Sequence, residues 1–129
     1  MFDGTGRTVA HLIEPQHLFV PALVDVFSEA GLFVTFVGST LDPRQLLDDQ
    51  PDLVFIDTDF VPEPLDVVRL ARVLVPNGQI YVYATAPSET IARAFTTAGA
   101  DMVFEKSADR RAIVQGLREV DRLRRQRKE

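Results

Sequence analysis

Residues 51–60 read PDLVFIDTDF, a run that turns from wholly apolar (Leu53 to Ile56) to acidic at Asp57, with a second carboxylate at Asp59. Four consecutive apolar residues closed by a charge describe a strand buried on both faces that ends at water. Similar short apolar runs recur before and after it. Segments 7–13 (RTVAHLI), 32–38 (LFVTFVG), 79–85 (QIYVYAT) and 101–106 (DMVFEK) are each bounded by turn residues and are expected to be strands.

Between them lie stretches with helical spacing. Phe19, Leu23, Val24 and Phe27 share one face of a helix that begins near His17, because Pro21 is tolerated only in a first turn, and stops at Gly31. Asp42-Pro43 reads as an N-cap with proline at the first helical position, opening a short helix to Asp49. Another helix runs from Pro64 to the Pro76-Asn77-Gly78 breaker. Ser88 caps a fourth, with Ile91, Ala94, Phe95 and Ala98 inward, and Asp109 caps a fifth, with Ile113, Leu117 and Val120 inward. Strand and helix therefore alternate five times. That pattern predicts one doubly wound α/β domain over residues 1–129, with a loose terminus at 1–6 and a last helix over 109–129. Its five-stranded parallel sheet is expected in the order 2-1-3-4-5.

Such a sheet keeps its working groups at the carboxyl ends of its strands. Glu14, Asp57 with Asp59, Thr85 with Ala86, and Lys106 fall there. Two carboxylates, a hydroxyl and an ammonium converging on one edge exceed what strand ends require.

Composition narrows the function classes. The 129 residues contain no cysteine, which excludes disulfides, a thiolate nucleophile and a cysteine zinc site. No apolar run approaches membrane-spanning length and no secretion leader is visible, so a cytoplasmic setting without membrane contact is expected. The first 107 residues hold 6 basic and 15 acidic side chains, and the last 22 hold 8 and 4. The acidic body argues against nucleic-acid binding by this domain. The basic end, DRLRRQRKE, reads as a solvated helix terminus, where the macrodipole favours cations. Gly4 and Gly6 precede a strand and so form no phosphate loop. With no nucleophile–base pair either, a small α/β enzyme or flavin binder is disfavoured. His11 reads as a hydrogen-bonded core histidine, His17 as an exposed residue near Glu14, and Tyr81 and Tyr83 as packing.

The strand-end set resembles the receiver domains of response regulators over residues 7–125. PDLVFID is similar to that family's third strand, ATA (84–86) to the end of its fourth, and AGADMVFEK (98–106) to the run before its lysine. The resemblance implies a flavodoxin-like fold. It makes Asp57 a phosphoacceptor, with Thr85, Ala86 and Lys106 contacting the phosphoryl group, and assigns Glu14 and Asp57 to Mg²⁺, with Asp59, where the family offers only a backbone carbonyl, expected to compensate for a missing first-loop acid. Thr85 with Val103 and Phe104 would form the switch. A histidine kinase or phosphotransfer protein would be the partner, and the domain would be no enzyme beyond slow self-dephosphorylation.

Three departures bear on this. Pro15 stands where the family carries a second acid, so Mg²⁺ should bind weakly. Ser107 follows Lys106 in place of a cis proline, which predicts a trans bond and a re-aimed amine. The switch aromatic's position falls on Val103, with Phe104 on the opposite face of the strand. A receiver-like interaction module that no longer uses phosphate is the alternative reading. Arg110, Arg111, Arg118 and Arg122 are expected on the outer side of the last helix as an interaction surface, suited to a homodimer.

Overall fold

The computed structural model describes residues 6–128, and the side chains of 6–127. Apart from Gly6, the expected loose terminus lies outside the described residues. Five strands, β1 (Thr8–Ile13), β2 (Leu32–Gly38), β3 (Leu53–Asp57), β4 (Gln79–Ala84) and β5 (Met102–Glu105), form one parallel sheet in the order β2-β1-β3-β4-β5. Five helices alternate with them: α1 (Val20–Glu29), α2 (Pro43–Asp49), α3 (Pro64–Leu74), α4 (Glu89–Ala98) and α5 (Arg110–Lys128). A 3-10 turn, His17–Phe19, leads into α1 and places Pro21 in its first turn, where no hydrogen-bonding N–H is needed.

The side-chain period of two divides the sheet between two cores. Leu12, Leu53, Phe55, Tyr81 and Phe104 pack against α1 and α5. Ile13, Val54, Ile56, Ile80 and Val82 pack against α2, α3 and α4. All five residues of β3 are buried, as a central parallel strand covered on both faces requires.

The expected caps are in place. Asp42 accepts from the Gln45 amide at 3.1 Å, Ser88 from Ile91 at 3.1 Å and Asp109 from Ala112 at 2.9 Å. Gly116 lies inside α5, where glycine weakens a helix by about 0.5–1 kcal/mol relative to alanine. A Cβ there would sit 2.2 Å from Phe104 Cζ, so the glycine makes room for β5 to dock on α5. Tyr81 completes the contact by donating its hydroxyl to the Gly116 carbonyl at 3.1 Å.

Several expectations need correction. Ile91 is 48% exposed rather than inward, and the buried residues of α4 are Phe95 and Ala98, in its later turns. β1 starts one residue later than expected, β4 ends at Ala84, and β5 leaves Asp101 and Lys106 as flanking residues. The basic end is not simply solvated. Arg124 is buried and reaches Asp52 at 3.4 Å and the Gly6 carbonyl at 2.5 Å, and Arg127 reaches Asp52 at 3.3 Å. The inward face of α5, continued past Val120 at helical spacing, arrives at Arg124.

Candidate functional site

Glu14, Asp57, Thr85 and Lys106 each follow or end a strand, and the parallel order brings them to one edge. Asp57 is the last residue of β3 and is fully buried. Lys106, just past β5, crosses above β4 to place its Nζ 2.7 Å from Asp57 Oδ2 and 2.9 Å from Asp59 Oδ2. The backbone holds it there, since the Lys106 amide donates to the Ala84 carbonyl at 2.9 Å. As the identity of residue 107 led one to expect, the described residues contain no cis peptide bond. The amine points inward, onto two carboxylates. Burial lowers the Lys106 pKa, but its bonds to Asp57 and Asp59 prevail and raise it above the ordinary lysine value.

Asp59 is more involved than its position two residues past the strand suggested. Its own amide donates to Asp57 Oδ1 at 3.0 Å. Its carboxylate accepts the Thr85 amide at 3.1 and 3.2 Å and the Thr85 hydroxyl at 2.7 Å. Burial pushes the Asp59 carboxyl up, but the bonds from Lys106 and Thr85 outweigh it and hold the group below its usual value. Ala86 follows in the left-handed region at φ 38°, exposed, with no hydrogen bond from its N–H among the described residues. A non-glycine residue there costs about 1–2 kcal/mol.

Glu14 is only 1% exposed. Its Oε2 accepts the Gln16 amide at 3.0 Å, while Oε1 is buried without a partner. Burial pushes this carboxyl up to about 7. Asp57 adds to the rise, and the Gln16 amide and Lys106 oppose it.

The three carboxylates expected to share Mg²⁺ are not arranged as a metal site. Among the described residues no group of three or more His, Cys, Asp and Glu side chains could hold a metal ion. A hard divalent cation needs several converging oxygens. Here Lys106 takes the oxygens of Asp57 and Asp59 that would face it, and Pro15 supplies none. As the side chains stand, they offer a divalent cation few free oxygens.

The switch candidates divide as the strand's alternation requires, with Phe104 buried in the α1/α5 core and Val103 half-buried against the other core. Sequence reasoning missed two aromatics. Phe60 and Tyr83 each place a ring centroid 5.4 Å from Lys106 Nζ, flanking the ammonium. The step from Asp59 to an exposed Phe60 was the available signal. His17 is exposed and its ring joins no hydrogen bond of the site. His11 is the core histidine expected, with Nε2 2.9 Å from Asp49 Oδ2. On α5, Arg110 pairs with Glu29 at 3.3 Å and Arg122 pairs with Glu119. Arg111 and Arg118 are exposed and make no ion pair among the described residues.

No family model and no curated protein matches the sequence. Solved structures do match. The receiver domain of AraT, a response regulator from Geobacillus stearothermophilus, is 14% identical with a TM-score of 0.78, over 94% of this chain and 98% of that one. A response regulator from Thermotoga maritima is 16% identical with a TM-score of 0.77, over 90% and 98%. A Burkholderia pseudomallei response regulator, solved with a phosphorylated aspartic acid, calcium ion and citrate, is 17% identical with a TM-score of 0.74, over 93% and 72%. At identities of this size the fold is what is shared, and this chain carries the doubly wound receiver fold of response regulators.

Proposed function

We propose that the chain is a signal receiver that accepts a phosphoryl group on Asp57 and conveys the change to the surface of α4, β5 and α5. The observation that carries this reading is the Lys106 ammonium 2.7 Å from a buried Asp57 carboxylate at the strand ends. A carboxylate oxygen of Asp57 attacks the phosphorus of a phosphohistidine. The P–N bond breaks, its electron pair stays on the imidazole, and an acyl phosphate forms. The new group carries about −1.5 to −2 charge at neutral pH, for which an ammonium and the Thr85 hydroxyl are suitable partners. A histidine kinase or phosphotransfer protein in the cytoplasm is the matching donor. The domain itself turns over no substrate beyond slow loss of its own phosphoryl group. Incubation with Mg²⁺ and acetyl phosphate, followed by intact mass, tests the reading. One added phosphoryl group per chain is expected, and an unchanged mass overturns it.

The unchanged mass is the outcome expected of the second reading, a phosphorylation-independent interaction module. Pro15, Ser107 and Val103, which depart from the receiver pattern, favour this reading.

Mg²⁺ binding should be weak, and Pro15→Asp should tighten it by restoring an oxygen ligand beside Glu14. An NMR titration of both proteins checks this. Equal affinities would mean that the lost carboxylate is not what limits binding.

Arg111 and Arg118, with Arg110 and Arg122, form the proposed interaction surface, and we place a two-fold dimer through α4 and α5 there. Surface ion pairs contribute little singly and are screened by salt, so the dimer should weaken as ionic strength rises. Sedimentation at low and high salt measures this. A monomer at high concentration in low salt refutes it.

A further inference from the structure

A single carboxylate gathers three donors at the mouth of the site. Asp59 accepts the Thr85 hydroxyl at 2.7 Å and the Thr85 amide at 3.1 and 3.2 Å, and it pairs with Lys106 Nζ at 2.9 Å. Its own amide is tied to Asp57 Oδ1 at 3.0 Å. A turn carboxylate that merely capped the Thr85 amide would need neither the hydroxyl nor the ammonium. Both converge on Oδ2, the oxygen nearer the lysine. A hydroxyl, an amide and an ammonium are the donors that an anion seated on Asp57 would require, since each stabilises negative charge at short range.

We propose that Asp59 is a built-in substitute for that anion, holding Thr85 and Lys106 in the anion-bound arrangement in the unmodified chain. The proposal rests on the reading that an anion's place is beside Asp57. It makes Asp59 a positioning residue. The donors of β4 and β5 are drawn together without modification, and the turn at Ala86 is held in its left-handed conformation by the grip on Thr85. A phosphoryl group arriving at Asp57 would have to compete with Asp59 for both donors.

The test uses the full chain, labelled with ¹⁵N, as wild type, Asp59→Ala and Asp59→Asn. In Asp59→Ala the Thr85 amide should shift and lose hydrogen-exchange protection by about tenfold or more, as loss of a bond to a charged acceptor implies. Millimolar inorganic phosphate should then return the Thr85 amide toward its wild-type position, while leaving wild type unmoved. Asp59→Asn keeps one acceptor without the charge and should lie between the two. It also carries the test if the alanine variant does not fold. A Thr85 amide indifferent to either substitution overturns the proposal, as does a phosphate response of equal size in wild type. Acetyl phosphate labelling separates this proposal from the receiver reading. Phosphate rescue without labelling of any variant would sink Asp57 as acceptor and leave the role of Asp59 standing. Equal labelling of wild type and Asp59→Ala, with no phosphate response, would do the reverse.

Discussion

Asp57→Asn will remove all phosphodonor labelling while leaving a cooperatively folded protein. The substitution keeps the volume of a side chain that is 0% exposed and takes away its nucleophilic oxygen. Removing one member of a buried ion pair normally costs about 3–5 kcal/mol, because the other charge is stranded. Lys106 is not stranded here, since Asp59 remains 2.9 Å from its Nζ. The loss is further offset because Asp57 no longer crowds Glu14, whose raised pKa it helps to cause. A stability change within about 2 kcal/mol is therefore expected, well below the full cost of a stranded charge. Intact mass after acetyl phosphate treatment and a denaturant melt check both halves. Label retained on the asparagine variant would show that another residue is the acceptor.

Glu14→Gln should stabilise the protein above neutral pH by about 2–3 kcal/mol and have little effect near pH 4. The folded state raises this carboxyl from 4.5 to about 7, chiefly through burial. A group raised in this way contributes its stability below the unfolded value and loses it as pH rises through the folded one. Wild type should thus lose ground from about pH 4.5 to pH 7, over the window between those two values, and glutamine should not. Glutamine also keeps an acceptor for the Gln16 amide. His11 acts in the opposite direction. Burial lowers its pKa, so its contribution is present above about pH 6.5 and is lost as pH falls below that. Comparing variant with wild type at each pH removes the histidine term, because both proteins share it. Denaturant midpoints that track each other across the whole pH range would show that folding does not raise the Glu14 carboxyl.

Local chemistry in the sequence determined the order of elements and the edge at which the candidate residues gather. Asp42, Ser88 and Asp109 cap the helices they precede, and the all-apolar run ending at Asp57 is the central strand. These signals are legible because a cap or a side-chain period involves residues only a few positions apart. The parallel order then brings Glu14, Asp57, Thr85 and Lys106 to one edge without further information. What the edge does with its charges depends on contacts between distant residues. Asp59 and Thr85 are 26 positions apart, and only the packed strands reveal that this carboxylate takes the Thr85 hydroxyl. The aromatic flank on Lys106, the exposure of Ile91 and the inward turn of Arg124 and Arg127 onto Asp52 are of the same kind. Periodicity says which way a side chain faces. Which of several competing partners it meets there is decided by the distances between neighbouring strands and helices, and those exist only once the chain is folded.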